Sequence, residues 1–300
     1  MYDIIVVGGG PAGLTAALYA RRNNKTVLIL DKDTVGGQIT YSPKVENIPG
    51  FVSVTGNEFA EKMMDQVLEQ GAELDLCHVT GIRDGEVKTV VTDCGDFEAR
   101  AVILATGAKH RLLGLPGEEN FIGNGISFCA VCDGAFYEDK TVAIIGGGNS
   151  ALVEALLLAD HVKKLYVVQN LPFLTADEKL QKQLVERENV EVILGTTVAS
   201  LEGEDTFTGI VMNREEDGVK TPLALDGMFI AIGLIPQNEA FADLIDLTPQ
   251  GYADSDESCL TKTPGIFVAG DCRNKTVRQV TTAAADGAIA ALAACKYLDS

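Results

Sequence analysis

Cys129-Ala130-Val131-Cys132 is the one closely spaced pair among seven cysteines, the others standing at 77, 94, 259, 272 and 295. Two thiols at that spacing can close a small disulfide and reopen it by exchange. Asp133 follows directly, and a carboxyl whose surroundings raise its pKa can carry a proton to or from a thiolate. A zinc site would need more ligands. There is no second CxxC, and His78, His110 and His161 are isolated along the chain, so no metal is expected. The remaining five cysteines read as small core or surface residues, Cys272 drawing notice only because it adjoins Asp271. An odd, unpatterned set is not a secreted disulfide framework.

Two glycine clusters could cradle phosphates. Gly8-Gly9-Gly10-Pro11-Ala12-Gly13 fits GxGxxG after the apolar run Asp3–Val7. Gly8 allows the tight turn, Gly10 lets backbone approach a pyrophosphate, and Gly13 lets the following helix pack close to a sheet. The start of that helix points unsatisfied N–H groups at the phosphates. Asp31 ends the next strand, where a carboxylate can accept ribose hydroxyls. These features indicate a dinucleotide without choosing between FAD and NAD. The second cluster, Gly146-Gly147-Gly148-Asn149-Ser150-Ala151, fits GxGxxA after Thr141–Ile145. Asp271 follows the buried run Gly265–Ala269, at the carboxyl end of a strand, where ligands of α/β sheets bind.

These residues need strands and helices to place them. Segments 2–30 and 140–168 share the order strand, glycine turn, helix, strand, each with a continuous apolar run suited to a buried parallel strand. The fold class is therefore α/β, with two doubly wound nucleotide-binding domains, the second inserted into the first. The stretches 101–117 and 227–237 each run from an apolar strand through glycine to a proline-containing loop, and are read as the crossings. The expected division is 1–112 and 245–300 for the first domain, 113–244 for the second. A net charge of -19 from 24 basic and 43 acidic side chains opposes binding to nucleic acid and to anionic membranes. The N-terminus lacks the basic start of a signal peptide, and the apolar stretch 283–294, broken by Asp286, is too short to span a bilayer. A cytoplasmic location is the simplest expectation.

The order and spacing of several stretches resemble the low-molecular-weight thioredoxin reductases over nearly the whole chain: GGGPAG at 8–13, GGQI at 36–39, ENIPG at 46–50, ATGA at 105–108, CAVCDG at 129–134, GGGNSA at 146–151 and AGDCRNKTVRQVTTAAADG from 269. The resemblance implies FAD as cofactor. It assigns Gly8, Gly10, Pro11, Ala12, Gly13 and Asp31 to the adenosine and pyrophosphate end, and Gly37, Gln38 and Asn47 to the flavin side. Ala105, Thr106 and Gly107 line the same cofactor, Gly270 and Asp271 hold ribitol or phosphate-side hydroxyls, and Arg278, Gln279 and Val280 close over it. It further implies that Cys132 lies nearer the isoalloxazine, that Cys129 attacks the disulfide of thioredoxin or a similar small protein, that the inserted domain rotates about its two linkers, and that the protein is a homodimer.

One departure from that family stands out. NADPH-dependent members carry His-Arg-Arg and a further arginine after the second strand of the inserted domain, whereas this chain has Val168, Gln169, Asn170 and, at the last arginine, Leu174. A phosphate without basic partners forgoes charge-assisted contacts of about 1.5–3 kcal/mol each. No Asp or Glu takes the NADH role either. The preferred expectation is therefore a protein electron donor, ferredoxin or flavodoxin, with an NADH- or NADPH-dependent thioredoxin reductase as the alternative. A flavin-binding oxidase or redox sensor with a non-catalytic CxxC is the other reading. It predicts fast reoxidation by oxygen and no thiol requirement.

Overall fold

Val, Ile and Leu fill the strand Tyr2–Val7, and its last four residues are buried. Such a strand needs apolar layers on both faces, and the parallel pairing of Val7 with Leu30 on one side and Leu104 on the other supplies its sheet neighbours. The computed structural model describes residues 1–32 and 35–300 and divides them into two compact units: 1–44, 48–109 and 235–300, and then 45–47 with 110–234.

In the first unit, parallel strands run in the order Glu73–Leu76, Val27–Asp31, Tyr2–Val7, Gly95–Leu104, with Ile266–Val268 beside the end of the last. The long strand Gly95–Leu104 serves two purposes. Its second half joins this parallel sheet, while its first half pairs antiparallel with Lys88–Thr92, which in turn pairs with Val79–Arg83. One face of the sheet carries the helices Pro11–Arg22 and Val280–Leu298, whose Ala16, Ala17, Ala20, Ala290, Ala291 and Ala294 are buried together. Small residues let these helices approach closely: a Cβ on Gly287 would stand 2.1 Å from the Ala12 carbonyl oxygen. The other face packs Val90, Phe241, Ile245 and Ala253.

The second unit repeats the plan. Parallel strands run Val190–Ile193, Lys164–Val168, Thr141–Ile145, Gly227–Ile230, Ile126–Ser127, and a separate antiparallel sheet is formed by Thr196–Gly203, Phe207–Arg214 and Lys220–Ala224. Helix Asn149–Ala159 covers the parallel sheet with Leu152, Ala155 and Leu158.

Two sequence expectations are corrected here. The second domain boundary, expected at 244/245, falls between Leu234 and Ile235, inside the stretch 227–237 read as the crossing, because Phe241 and Ile245 are buried in the first unit's core. Cys77 and Cys94, read as unpaired small residues, are joined in a disulfide; their separation of 17 residues is spanned by the strands Val79–Arg83 and Lys88–Thr92, which turn the chain back on itself. Among the described residues, no helix is long and apolar enough to cross a membrane.

Candidate functional site

The two glycine turns are built alike. Gly8 N–H donates to Leu30 O at 2.8 Å, and Ala105 N–H donates to Val7 O at 2.8 Å; in the second unit Gly146 N–H donates to Val168 O and Ala231 N–H to Ile145 O, both at 2.9 Å. Gly8 (φ 107°) and Gly146 (φ 132°) adopt backbone angles that L side chains rarely take, and a Cβ there would stand 2.3 Å from Ala105 O and 2.5 Å from Ala231 O. Each turn therefore needs glycine, for conformation and for room. By this equivalence Gln169 occupies the strand-end place that Asp31 holds in the first unit. The difference is chemical: Asp31 Oδ2 accepts the Gly9 N–H at 2.6 Å, whereas Gln169 is a buried amide whose Nε2 reaches Phe173 O at 3.5 Å.

In the first unit the separate stretches converge. Gly8 abuts Ala105, a Cβ on Gly37 would lie 3.2 Å from Gly10 Cα, and one on Gly270 would lie 2.8 Å from Ala12 Cβ. Gly13 closes from below, since its Cβ would meet Gly8 O at 1.8 Å. Gln38 sits in the one-turn helix Gly37–Tyr41 that begins beside Gly10. Close backbone approach of this kind is what a glycine turn needs beside a pyrophosphate, and two buried polar atoms lie on the neighbouring segments. Asp271 Oδ1 and Arg278 Nε are buried without a hydrogen-bond partner among the described residues. Burial pushes the Asp271 carboxyl up, against the lowering influence of Lys275 and Arg278. The Arg278 guanidinium lies 4.4 Å from the centroid of the Tyr252 ring, Gln279 caps the helix that Val280 begins, and Gly107 lies just before the strand Ala108–His110.

The contacts that hold these segments together were not legible in the sequence, although Arg273, Lys275 and Asp286 fall inside the stretch beginning at 269. Asp286 is buried in the last helix and accepts from the Gly270 N–H at 3.0 Å, from Arg273 Nη2 at 3.0 Å and from Lys275 Nζ at 3.0 Å. Burial alone would raise its carboxyl, but the hydrogen bonds from Arg273 and Lys275 hold it below the usual range. Asn238, fully buried, donates through Nδ2 to Gly251 O and Cys272 O, and its Oδ1 accepts the Thr106 hydroxyl at 3.2 Å. Cys272 itself is a free buried thiol, pushed up by burial, a packing residue rather than a nucleophile.

The dithiol lies in the second unit. Cys129 and Cys132 are disulfide-bonded with Cα atoms 5.3 Å apart, at the start of the single helical turn Ala130–Asp133. Cys132 N–H donates to Cys129 Sγ at 3.2 Å. Ser127 Oγ donates to Asp133 Oδ2 at 2.6 Å and accepts the Cys129 N–H at 3.2 Å, so one hydroxyl ties the acid to the motif. Asp133 Oδ1 is buried with no hydrogen-bond partner among the described residues, and desolvation raises its carboxyl despite the lowering effect of the Ser127 hydroxyl. A second half-buried acid, Glu154 of helix Asn149–Ala159, accepts the Ala130 N–H at 3.2 Å and is pushed up to about 7, chiefly by desolvation. Nothing in its Leu- and Ala-rich surroundings marks Glu154 in the sequence. Asn47 groups with this unit, and its Nδ2 lies 3.9 Å from Cys132 Sγ.

The chain matches the family model described as pyridine nucleotide-disulphide oxidoreductase over residues 2–287. It is 40% identical to a thioredoxin reductase of Listeria monocytogenes, over 100% of this chain and 94% of that protein. The crystal structure of thioredoxin reductase from Streptococcus pyogenes superposes with a TM-score of 0.94 at 39% identity, covering 100% of this chain and 98% of the other. A thioredoxin reductase from Giardia duodenalis gives 0.92 at 30% identity, covering 100% and 99%.

Proposed function

The chain belongs to the pyridine nucleotide-disulphide oxidoreductase family, and on that premise we propose that it is an FAD-dependent thioredoxin reductase that takes electrons from a reduced nicotinamide dinucleotide and delivers them through Cys129 and Cys132 to the disulfide of thioredoxin. The observation that carries this reading is the pairing, in one chain, of convergent glycine turns, beside which Asp271 Oδ1 is buried with no hydrogen-bond partner among the described residues, with a disulfide flanked by Asp133, a half-buried acid whose carboxyl is raised by desolvation.

The expectation of a ferredoxin or flavodoxin donor is corrected. The matching family is that of the pyridine nucleotide-disulphide oxidoreductases, its match spans both glycine turns, and the relatives reported above are thioredoxin reductases. The missing arginines remove charge from the second site but leave its glycine turn. The Gly146 turn keeps the geometry of the Gly8 turn in every hydrogen bond compared above. An amide at Gln169 has no charge to repel a 2′-phosphate, and it can hydrogen-bond ribose hydroxyls.

In this reading Gly8, Gly10, Gly13, Asp31, Gly37 and Asp271 hold FAD, with Gln38, Ala105, Thr106, Gly107, Gly270 and the segment 278–280 along its length. Bound FAD supplies the electron pair that opens a disulfide. The protein residues manage the sulfur and the protons. Cys129 takes the role of attacking thiolate, since the Cys132 N–H donates to its sulfur and stabilises negative charge there. Cys132 then resolves the mixed disulfide. Asp133 holds a proton at Oδ2 or Oδ1 for the departing thiolate, a task suited to a carboxyl that burial keeps protonated to higher pH. Glu154 holds the Ala130 backbone in place.

Replacing Asp133 with Asn is expected to lower thioredoxin turnover by about 100-fold, the usual scale for a lost acid–base group, while the Cys129–Cys132 disulfide still forms. Turnover measured across pH, with thiol titration of the same samples, checks this; turnover within threefold of wild type would remove Asp133 from the proton path. The reading as a whole is tested by stopped-flow mixing of the purified holoprotein with NADPH and, separately, NADH. Rapid bleaching of the flavin band by one of them, followed by reduction of thioredoxin, is the expected result. Failure of both to bleach it overturns the proposed donor.

A further inference from the structure

Two other cysteines stand together in the first unit, and the chemistry above does not use them. Cys77 follows the edge strand Glu73–Leu76 and is 6% exposed. Cys94 sits exposed in the turn between Lys88–Thr92 and Gly95–Leu104. Their Cα atoms are 5.9 Å apart, within the span a disulfide bridges without backbone movement. The segments that carry them are pinned to one another apart from the sulfurs. His78 N–H donates to Asp93 Oδ1 at 2.8 Å, and Asp93 N–H donates to His78 O at 3.2 Å. The same Asp93 Oδ1 lies 3.4 Å from Cys94 Sγ.

We infer that Cys77 and Cys94 form a second dithiol–disulfide couple, entered through Cys94, that exchanges with low-molecular-weight thiols and disulfides. In oxidation the Cys94 thiolate attacks one sulfur of a small disulfide RSSR and expels RS⁻, leaving a mixed disulfide. Cys77 then attacks the Cys94 sulfur and expels the second RS⁻. Two S–H bonds and one S–S bond are lost, one internal S–S bond and two RSH are formed, and the electron pair passes from the cysteines to RSSR. The two protons released by the cysteines end on the two RSH. Reduction is the reverse. Cys77 is buried, so a small reagent meets Cys94 first and the two convert as a unit.

Closure ties the edge strand of the parallel sheet to the turn of the antiparallel arm, and encloses both Val79–Arg83 and Lys88–Thr92. A metal fits this place less well. Cys77, Asp93 and Cys94 bring their ligand atoms within 4.8 Å of one another, but no fourth His, Cys, Asp or Glu joins them among the described residues, short of the closed tetrahedron a structural zinc site needs.

Full-length holoprotein equilibrated with graded mixtures of oxidised and reduced glutathione, quenched in acid, alkylated and digested, tests this by peptide mass. Alkylation of Cys77 and Cys94 is expected to fall together, with appearance of a linked peptide pair distinct from the Cys129–Cys132 peptide. Oxidation should raise the unfolding midpoint by roughly 5–10 °C, the scale for a loop of this length in a chain of this size, and Cys94→Ser should abolish that rise while keeping flavin content and turnover. The proposal is overturned if both cysteines stay fully alkylatable when Cys129 and Cys132 are oxidised. Glutathione that remains on Cys94 without linkage to Cys77 also overturns it. So does one equivalent of zinc per chain, in protein purified without chelator, that Cys94→Ser removes.

Discussion

Cys132→Ser is expected to lower steady-state thioredoxin reduction by at least about 1,000-fold, the scale seen when a covalent relay loses one of its members. A serine oxygen cannot form the bond that joins these residues across a Cα separation of 5.3 Å. Cys129 would still be able to attack a partner disulfide, but no second thiol of this chain would carry the mixed disulfide forward, and the thiolate freed on the partner would reverse the attack. The variant should therefore accumulate as a covalent adduct only with a thioredoxin whose second cysteine is replaced and whose remaining cysteine carries an activated thiol leaving group, visible on a non-reducing gel and lost on addition of dithiothreitol. Because the replacement is nearly isosteric and both residues are partly exposed, the fold should survive. Turnover within tenfold of wild type would show that the dithiol is not the route to the substrate, and would favour the oxidase reading instead.

Asp286→Asn should have an equally large effect of a different kind. The substitution keeps the shape and removes the charge that two cations face: the side chains of Arg273 and Lys275 are 3% and 6% exposed. Breaking a buried ion pair from one side costs about 3–5 kcal/mol, because the partner charge is left uncompensated. The Gly270 N–H also loses a charged acceptor, so the turn that presents Asp271 loosens. Purified Asp286→Asn is expected to unfold at lower denaturant and to retain much less flavin after dialysis, as read from its visible spectrum. The pH dependence has a definite sign. A carboxyl held below its ordinary value contributes stability that is complete above about pH 4 and is lost as pH falls through the folded pKa, so the wild type should weaken in acid more steeply than the variant. Equal unfolding midpoints with equal flavin content would contradict this account of the cleft.

The Asp286 case shows where sequence reasoning stops. In the chain it interrupts an apolar helix and reads as a blemish in an alanine-rich run. Its partners Gly270, Arg273 and Lys275 come from the loop before the helix, and only the folded turn brings them to one carboxylate. Glu154 is hidden in the same way, between leucines and alanines of a helix whose acid becomes meaningful when Ala130 is laid against it. The Cys77–Cys94 bond was missed because its two members are separated by a pair of strands. Local geometry was legible by contrast. Gly8 and Gly146 each answer to one turn conformation, and Cys129 with Cys132 to one short loop. The second crossing is legible in the glycine–proline pattern at 227–237, but the domain boundary lies ten residues before the expected 244/245, because the burial of Phe241 and Ile245 depends on a core that no local pattern announces.

The likeness of the two glycine turns has an evolutionary consequence. Gly8 with Ala105 and Gly146 with Ala231 repeat one arrangement of backbone hydrogen bonds, as expected if an ancestral gene segment was duplicated and one copy was set inside the other. Under that history Asp31 and Gln169 stand at matching strand ends with different hydrogen bonds. A change at position 169 would alter the inner turn without touching the bond between Asp31 and Gly9 in the outer one.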